Sequence, residues 1–368
     1  MDPRADRLQW LLPAAGFGVA LALGLAAAVH ALGDELQPDL PSADPAHLWS
    51  GEWARGVSKR INEGFVARRA FHRIERGAQW LALRDWGPRV REGCRGWLFL
   101  ADELELHAAR AESSAARAEL AARVSAALAQ QGVHVLVAVV PDKSRIEATK
   151  LCELRRAPGS GARVARWTEA LRARKVDVLD LTATLARLPG ERYYRSDTHW
   201  TEAGAEASAR AIAGALRARG LAPERAPPAP LAPRRVERPG DLVRVAGLDG
   251  LPRGWGPGPD LVEARTVPPV ASTSDDLFGD SGVPKVAVVG TSFSRTSNLV
   301  PFLARHLGEQ VANAAKDGAD FDGSLAAYVA SPAFRDSPPK VLVWEVPERA
   351  IEAPLKPSER NGIPVITR

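Results

Sequence analysis

The chain has 368 residues, a formal net charge of +5 and a hydrophobic fraction of 45%, which is ordinary for a globular protein with a sizeable core. Its 49 basic residues are mixed with 44 acidic ones and form no stripe interleaved with aromatic residues, which argues against a nucleic-acid partner. The two cysteines, Cys94 and Cys152, lack the spacing of a metal site. In an oxidising compartment they could form one disulfide, a pairing that the sequence leaves open.

The first predicted element is an apolar segment over residues 8–33 that contains no Asp, Glu, Lys or Arg. As a helix of about 25 residues, at roughly 1.5 Å each, it would cross a hydrocarbon core of about 30 Å. Two arginines precede it and three acidic residues follow it, which predicts an N-terminus inside the cell and the remainder outside. We predict a cytoplasmic stub and transmembrane anchor over residues 1–33, with a signal peptide cleaved near residues 26–28 as the alternative.

The rest of the chain alternates strands with helices after an arm that is rich in arginine. Residues 34–95 are predicted to form a linker and this helical arm. The elements expected downstream are, in order, a strand at 96–100, a helix at 104–131, a strand at 133–140, a helix at 162–174, a strand at 176–181, a helix at 202–219, a strand at 286–289, helices at 297–307 and 324–329, and a strand at 340–346. This order predicts an α/β fold with a parallel sheet wound through right-handed crossovers and flanked by helices.

Two segments do not fit this alternation. Residues 222–270 are dense in proline and glycine and are predicted to be an irregular insertion or a small hairpin excursion, which could act as a lid. Residues 355–368 are predicted to be a loose tail.

The residues best suited to chemistry are Asp197, His199 and Ser292. Asp197 and His199 lie two positions apart, directly before Thr201, which is a good N-cap for the helix that follows. A carboxylate beside a histidine holds one ring tautomer and stabilises the imidazolium, as a general base requires. Ser292 follows the strand at 286–289, and open α/β sheets place their sites at the carboxyl ends of strands. We therefore expect Ser292 to meet His199.

These residues also have simpler interpretations. Ser292 could be a turn residue that caps a helix, and Thr291 and Ser294 are competing hydroxyls in the same turn. Asp197 and His199 could instead bind a metal ion. The other histidines show no ligand spacing near this pair, so we expect neither a metal nor a cofactor.

Five short motifs in a fixed order resemble the AlgX/AlgJ alginate O-acetyltransferase family, which has an SGNH-hydrolase-like domain. They lie at residues 96–99 (Gly-Trp-Leu-Phe), 141–146 (Pro-Asp-Lys-Ser-Arg-Ile), 197–200 (Asp-Thr-His-Trp), 290–294 (Gly-Thr-Ser-Phe-Ser) and 344–349 (Trp-Glu-Val-Pro-Glu-Arg). As in that family, the Asp-x-His pair precedes the serine in the chain, the reverse of ordinary SGNH esterases. The resemblance covers roughly residues 49–349.

The resemblance implies a catalytic domain over residues 96–354 with Ser292 as nucleophile, His199 as its base and Asp197 as the orienting acid. It implies transfer of acetyl groups to hydroxyls of an exported polysaccharide in the bacterial periplasm, by a single-pass protein of the inner membrane. The implied partners are a polysaccharide acceptor, a multi-pass membrane acyltransferase that supplies acetyl groups, and an export or synthase complex. The insertion at 222–270 has no counterpart that we can assign, so the polymer need not be alginate.

Six further residues are candidates for substrate binding. They are Tyr194, Trp200, Lys143, Arg145, Glu345 and Arg349. The two aromatic residues could stack on sugar or pack in the core, and the four charged residues, at strand ends, could contact substrate or form ion pairs under a loop. An acetyl-polysaccharide esterase with the same triad, or a non-catalytic scaffold that binds polysaccharide in an export complex, are the alternative functions.

Overall fold

The structure, a computed structural model, describes residues 3–33, 40–64, 68–270 and 284–361. Parts of two predicted segments lie outside the described residues: residues 34–39 and 65–67 of the linker and helical arm, and residues 362–368 of the tail. The chain divides into two compact units, residues 1–84 and residues 85–368.

The first unit is mainly helical in its described part. Its helices are α1 (Pro3–Gly33), α2 (Pro45–Trp49), α3 (Glu52–Gly64) and α4 (Arg68–Leu83). Asp44 caps α2 by accepting a hydrogen bond from the His47 N–H, and Pro45 occupies the first turn. Among the described residues, no helix is both long and apolar enough to span a membrane.

The second unit is an α/β fold. Its strands are β1 (Val90–Glu92), β2 (Leu98–Leu100), β3 (His134–Val140), β4 (Asp177–Asp180), β5 (Arg234–Arg238), β6 (Asp260–Ala264), β7 (Val286–Val289), β8 (Val311–Asn313) and β9 (Val341–Pro347). Its helices are α5 (Arg110–Gln130), α6 (Lys143–Ile146), α7 (Arg163–Ala173), α8 (Thr182–Ala186), α9 (Glu202–Arg217), α10 (Asp241–Val245), α11 (Leu299–Leu307), α12 (Gly323–Val329), α13 (Pro332–Asp336), α14 (Glu348–Ile351) and α15 (Pro357–Asn361).

Five strands form the central sheet in the order β4-β3-β9-β7-β8, and all its pairs are parallel. Both faces are covered, since Val135, Val137 and Val139 of β3 enter one apolar core while Leu136 and Ala138 enter the other. A strand that is buried on both faces has a continuous apolar sequence, and this pattern is the one from which β3 was predicted. The predicted α/β class and parallel sheet are confirmed.

The insertion at 222–270 contains the antiparallel hairpin β5–β6 with the short helix α10 between its strands. The hairpin alternative of the prediction is therefore correct. The helix predicted from residue 104 begins six residues later, at Arg110, and β2 is followed by a 3₁₀ turn over Ala101–Glu103.

The prediction of a loose tail is wrong for its described part. Residues 357–361 form α15, and Glu359 is buried against Arg117, with Nε–Oε1 and Nη2–Oε2 distances of 2.6 and 2.9 Å. The same guanidinium donates to the carbonyls of Ile351, Ala353 and Pro354. An ion pair between residues that are far apart in the sequence holds this segment in place. The hydropathy of the segment does not predict such a contact.

Cys94 and Cys152 form a disulfide, which answers the question that spacing left open. It joins the β1–β2 hairpin to the segment that follows α6. The Cys94 N–H also donates to the Lys150 carbonyl at 2.8 Å, so the connection is reinforced by the backbone.

Candidate active site

The turn after β7 presents one hydroxyl and restrains its two neighbours. Glu345 of β9 is buried and accepts hydrogen bonds from the Thr291 N–H at 2.6 Å, the Thr291 hydroxyl and the Ser294 hydroxyl at 3.1 Å. Ser292 lies between them and is partly exposed. Of the three competing hydroxyls, Ser292 is therefore the one left to face the cleft.

Glycine is required at position 290 because the turn packs directly on Glu345. A Cβ atom at Gly290 would lie 2.5 Å from Glu345 Oε2 and 2.7 Å from Glu345 Cβ, closer than real Cβ contacts. Burial raises the pKa of Glu345, while the hydrogen bonds from Thr291 oppose that shift.

Asp197 and His199 sit in a tight loop that ends at the start of α9. The Tyr194 N–H donates to the His199 carbonyl at 3.0 Å, and Thr201 caps α9 by accepting from the Gly204 N–H at 3.2 Å. The predicted cap at Thr201 is confirmed.

The structure brings Ser292, His199 and Asp197 into one hydrogen-bonded line. His199 Nε2 lies 2.7 Å from Ser292 Oγ, and His199 Nδ1 lies 2.6 Å from Asp197 Oδ1. Burial would raise the pKa of Asp197, but the hydrogen bond from His199 and the positive charge of Arg238 hold that pKa well below its usual range. An ionised Asp197 fixes the proton on Nδ1 and leaves the Nε2 lone pair free to accept the serine proton.

A cleft of about 750 Å³ opens in front of these residues, and Asp197, His199 and Ser292 line it. Residues 238–259 of the insertion form most of its wall. Its volume falls in the range of small-ligand sites, which is about 300–1,000 Å³. The insertion is thus a fixed side of the cleft.

Several contacts hold the insertion against the Asp-x-His segment. Asp260 accepts from the Ser196 N–H at 2.8 Å, the Ser196 hydroxyl at 2.6 Å and Arg195 Nη2 at 2.7 Å. A Cβ atom at Gly240 would lie 2.0 Å from the Ser196 carbonyl oxygen, so only glycine permits this approach. These contacts argue against a lid that swings freely.

Three of the predicted substrate-binding side chains are buried beneath the site. Trp200 is fully buried and packs edge-on against Phe293, with ring centroids 5.1 Å apart. Tyr194 is buried under the Arg238 guanidinium, 4.5 Å from its ring centroid. Lys143 is 1% exposed. Such burial leaves little surface for a sugar, so we correct the predicted role of all three from substrate contact to positioning.

Lys143 holds the catalytic segment through its backbone. Its Nζ donates to the carbonyls of Leu98, Arg195 and Asp197 at 2.6, 2.8 and 3.0 Å. Burial lowers the pKa of Lys143 to about 8. The Lys143 side chain therefore connects β2 to the turn that contains Asp197.

The three remaining candidates are Arg145, Glu345 and Arg349, of which Arg145 forms an ion pair. Arg145 donates to Glu348 from Nε at 2.7 Å and from Nη2 at 2.6 Å. This contact is the ion pair that the sequence analysis gave as the alternative to substrate binding. Arg349 lies over the Phe293 ring, 5.3 Å from its centroid, and its backbone N–H donates to Asp142. Glu345 supports the serine turn, as described above. The structure therefore gives Arg145 and Glu345 supporting positions, and the substrate-binding role of Arg349 stays a prediction.

The site contains two residues that sequence reasoning missed, Arg238 and Asp241. Arg238 Nη2 lies 3.1 Å from Asp197 Oδ2, and Asp241 Oδ2 lies 3.4 Å from His199 Nδ1. Both belong to the insertion, where no periodicity or motif marks them. The pair Gly240-Asp241 is the signal that the sequence offers, and it indicates the start of a helix and not a site.

Within the described part of the chain, Asp197, His199 and Asp241 are also the one group that brings three metal-ligand atoms within 4.8 Å of one another. Asp197 Oδ1 and His199 Nδ1 face each other across a hydrogen bond, and Thr198 donates to both oxygens of Asp241. Hydrogen bonds within the protein therefore account for these atoms.

A parallel sheet with serine, histidine and aspartate gathered at its carboxyl edge defines an SGNH hydrolase-like protein. The sequence model described as "SGNH hydrolase-like domain, acetyltransferase AlgX" matches residues 90–348, and the chain belongs to that family.

Relatives named "Probable alginate O-acetylase AlgJ" match most of the chain. The protein from Pseudomonas putida is 31% identical over 311 residues, covering 82% of this chain and 80% of that protein. The one from Pseudomonas syringae pv. tomato is 29% identical over 314 residues, covering 83% and 80%.

Two solved structures are similar as well. The O-acetyltransferase domain of Pseudomonas putida AlgJ superposes with a TM-score of 0.62 at 30% identity and covers 74% of this chain and 95% of that one. Pseudomonas aeruginosa AlgX gives a TM-score of 0.55 at 25% identity, with 76% and 67% covered.

Proposed function

We propose that this chain is a periplasmic O-acetyltransferase, anchored in the bacterial inner membrane, that moves acetyl groups onto hydroxyls of an exported polysaccharide through an acetyl-serine intermediate. The observation that carries the proposal is the unbroken line from Asp197 through His199 to Ser292, with contacts of 2.6 and 2.7 Å. The names of the relatives, alginate O-acetylase among them, support the acetyl group and the polysaccharide.

In the first half-reaction the Ser292 oxygen attacks the acetyl carbonyl while His199 Nε2 accepts its proton. The tetrahedral intermediate collapses, the bond to the donor's leaving group breaks, and the leaving group takes the proton from His199. Asp197 offsets the charge of the imidazolium in between. The Ser292 N–H, at the start of the turn, is the expected donor to the oxyanion.

In the second half-reaction a sugar hydroxyl attacks the acetyl-serine and gives its proton to His199 Nε2. The new ester bond forms, the bond to Ser292 Oγ breaks, and His199 returns the proton to the serine. The triad treats water and sugar alike, so selectivity must come from the cleft, which orients the sugar and limits the access of water.

Transfer and hydrolysis are separated by supplying an acetyl ester to the full-length protein together with candidate oligosaccharides. The proposal predicts that acetylated oligosaccharide accumulates at the expense of free acetate. If water takes all the acetyl groups across many glycans, the protein is the esterase.

Catalysis and scaffolding are separated by Ser292→Ala, with Ser337→Ala as a matched control because Ser337 is the C-cap residue of α13 and does not line the cleft. Ser292→Ala should abolish acetylation of the polymer in cells, and Ser337→Ala should retain it. A scaffold would leave acetylation unchanged in both.

The proposed location and partners rest on the sequence pattern and on the family. The proposal of an anchor at residues 8–33 rests on the absence of charged residues there and on the charges that flank the segment, and the second unit would then lie outside the cytoplasm. A multi-pass membrane acyltransferase would supply the acetyl group, and an export or synthase complex would deliver the polymer. A protease that is added to spheroplasts should digest residues 85–368, and protection from it would contradict this placement.

A further inference from the structure

Two side chains of the β5–β6 insertion flank the Asp197–His199 pair from opposite sides. Arg238, the last residue of β5, donates to Asp197 Oδ2 from Nε at 3.2 Å and lies 3.1 Å away through Nη2. Asp241, the first residue of α10, places Oδ2 3.4 Å from His199 Nδ1. His199 therefore lies beside the carboxyl groups of both Asp197 and Asp241. Arg238 pairs with Asp197, through the oxygen that does not contact His199.

Two contacts with Thr198 hold the carboxyl group of Asp241 beside His199. Its Oδ1 accepts from the Thr198 N–H at 2.7 Å and its Oδ2 accepts from the Thr198 hydroxyl at 2.5 Å. Burial and the negative charge of Asp197 raise the pKa of Asp241, whereas the charge of His199 and the hydrogen bonds from Thr198 oppose that rise. The side chain is 19% exposed and lines the cleft, so water can still reach it.

Arg238 affects how strongly Asp197 can stabilise a protonated His199. A guanidinium that binds the outer oxygen keeps Asp197 ionised, but it also draws negative charge away from the oxygen that faces His199. A second carboxylate within 4 Å of Nδ1 restores negative potential at the ring when it becomes protonated.

We propose that Asp241 is a positioning residue for His199, a second carboxylate that stabilises the protonated ring during acetyl transfer. The inference rests on the proposed function, because it assigns His199 the role of general base. On this proposal the insertion lines the cleft and also contributes two charged residues, Asp241 and Arg238, to the environment of His199 and Asp197.

The test is the pH dependence of kcat/KM for cleavage of an acetyl ester by the full-length protein, measured for Asp241→Asn. The charged groups that face Asp241 and His199 are Asp197 on the same loop, Arg238 on β5 and Lys143 on α6, and all three are retained. Loss of a carboxylate at this distance should move the acid limb of the profile about 1 pH unit lower. The plateau rate should fall about 5- to 10-fold, because the ring becomes a weaker base.

Glu237→Gln is the matched control, since it removes the same charge one residue before Arg238 from a side chain that is 65% exposed. It should leave both the acid limb and the plateau unchanged. Partial unfolding of Asp241→Asn would lower kcat/KM at every pH without shifting the pH at which the acid limb falls. The position of the acid limb therefore distinguishes loss of the carboxylate from loss of folded protein. Asp241→Glu, which keeps the charge, should restore the wild-type limb.

A second readout compares Asp241→Asn in the wild-type and Asp197→Asn backgrounds. The proposal predicts a larger fold-loss in the second background, where Asp241 is the remaining carboxylate at Nδ1. Equal fold-losses together with an unmoved acid limb would overturn it. If Ser292→Ala retains full activity the proposed function itself fails, whereas loss at Ser292 with no effect at Asp241 refutes only this inference.

Discussion

Replacement of Lys143 by methionine tests how the catalytic loop is held. The substitution keeps an unbranched chain of similar length but removes the donor from the carbonyls of Leu98, Arg195 and Asp197. The Leu98 and Asp197 carbonyls are left without a donor, at about 2 kcal/mol each, whereas the Arg195 carbonyl keeps the hydrogen bond from the Leu98 N–H at 2.9 Å. The penalty for burying the charged lysine that is relieved at the same time is about 3 kcal/mol, from a pKa lowered from 10.5 to about 8. The free energy of unfolding should therefore fall by about 1 kcal/mol at pH 7.

This difference should depend on pH in a definite direction. A lysine whose pKa is lower in the folded state binds fewer protons there than in the unfolded chain between about pH 8 and 10.5. Its contribution to the free energy of unfolding therefore rises with pH across that window. From pH 7 to 9.5 the wild-type protein should gain about 2 kcal/mol relative to Lys143→Met.

Urea unfolding followed by tryptophan fluorescence at pH 7 and 9.5 measures both quantities. Lys340→Met, which removes an exposed lysine, is the control and should change the free energy of unfolding by less than about 0.5 kcal/mol. A gap between the wild-type protein and Lys143→Met that shrinks as the pH rises would refute the reasoning. So would a variant that unfolds like the wild-type protein at both values.

Three further changes probe the frame around the site. Gly290→Ala forces a Cβ atom to within 2.5 Å of Glu345 Oε2, and it should lower the free energy of unfolding by about 1–3 kcal/mol with a matching loss of acetyl-ester cleavage. Cys94→Ser opens a disulfide that spans 58 residues, and calorimetry should show a loss of about 4 kcal/mol that reduction of the wild-type protein reproduces. Arg117→Met leaves the buried Glu359 unpaired and should cost about 3–5 kcal/mol in a urea titration, whereas no loss would show that the α15 contact is weak.

The parts of the fold that the sequence predicted are those with one dominant local signal. β3 and β7 are apolar runs that are rich in β-branched residues, and β9 is a similar run that only Glu345 interrupts, because both faces of a parallel sheet are buried. α15 carries no such run, since what fixes it is a pair between residues that are 242 positions apart. No local pattern encodes a contact of that kind.

The candidate site divides in the same way. The order of strands predicted that Ser292 would lie at the carboxyl edge of the sheet, and the Asp-x-His motif predicted the spacing of its partners. Burial of Lys143 was not predictable, because a charged residue is expected at the surface unless three carbonyls happen to surround it. Arg238 and Asp241 were missed because the insertion has no period that would place its side chains.

The most direct test of the account is the identity of the residue that carries the acetyl group. Full-length protein is incubated with an acetyl ester, quenched in acid and mapped by peptide mass spectrometry. We predict one acetyl group on Ser292, formed rapidly in the wild-type protein and absent from Ser292→Ala, with a much slower rate in His199→Ala. An acetyl group on a different residue, or turnover that survives Ser292→Ala, would contradict the account.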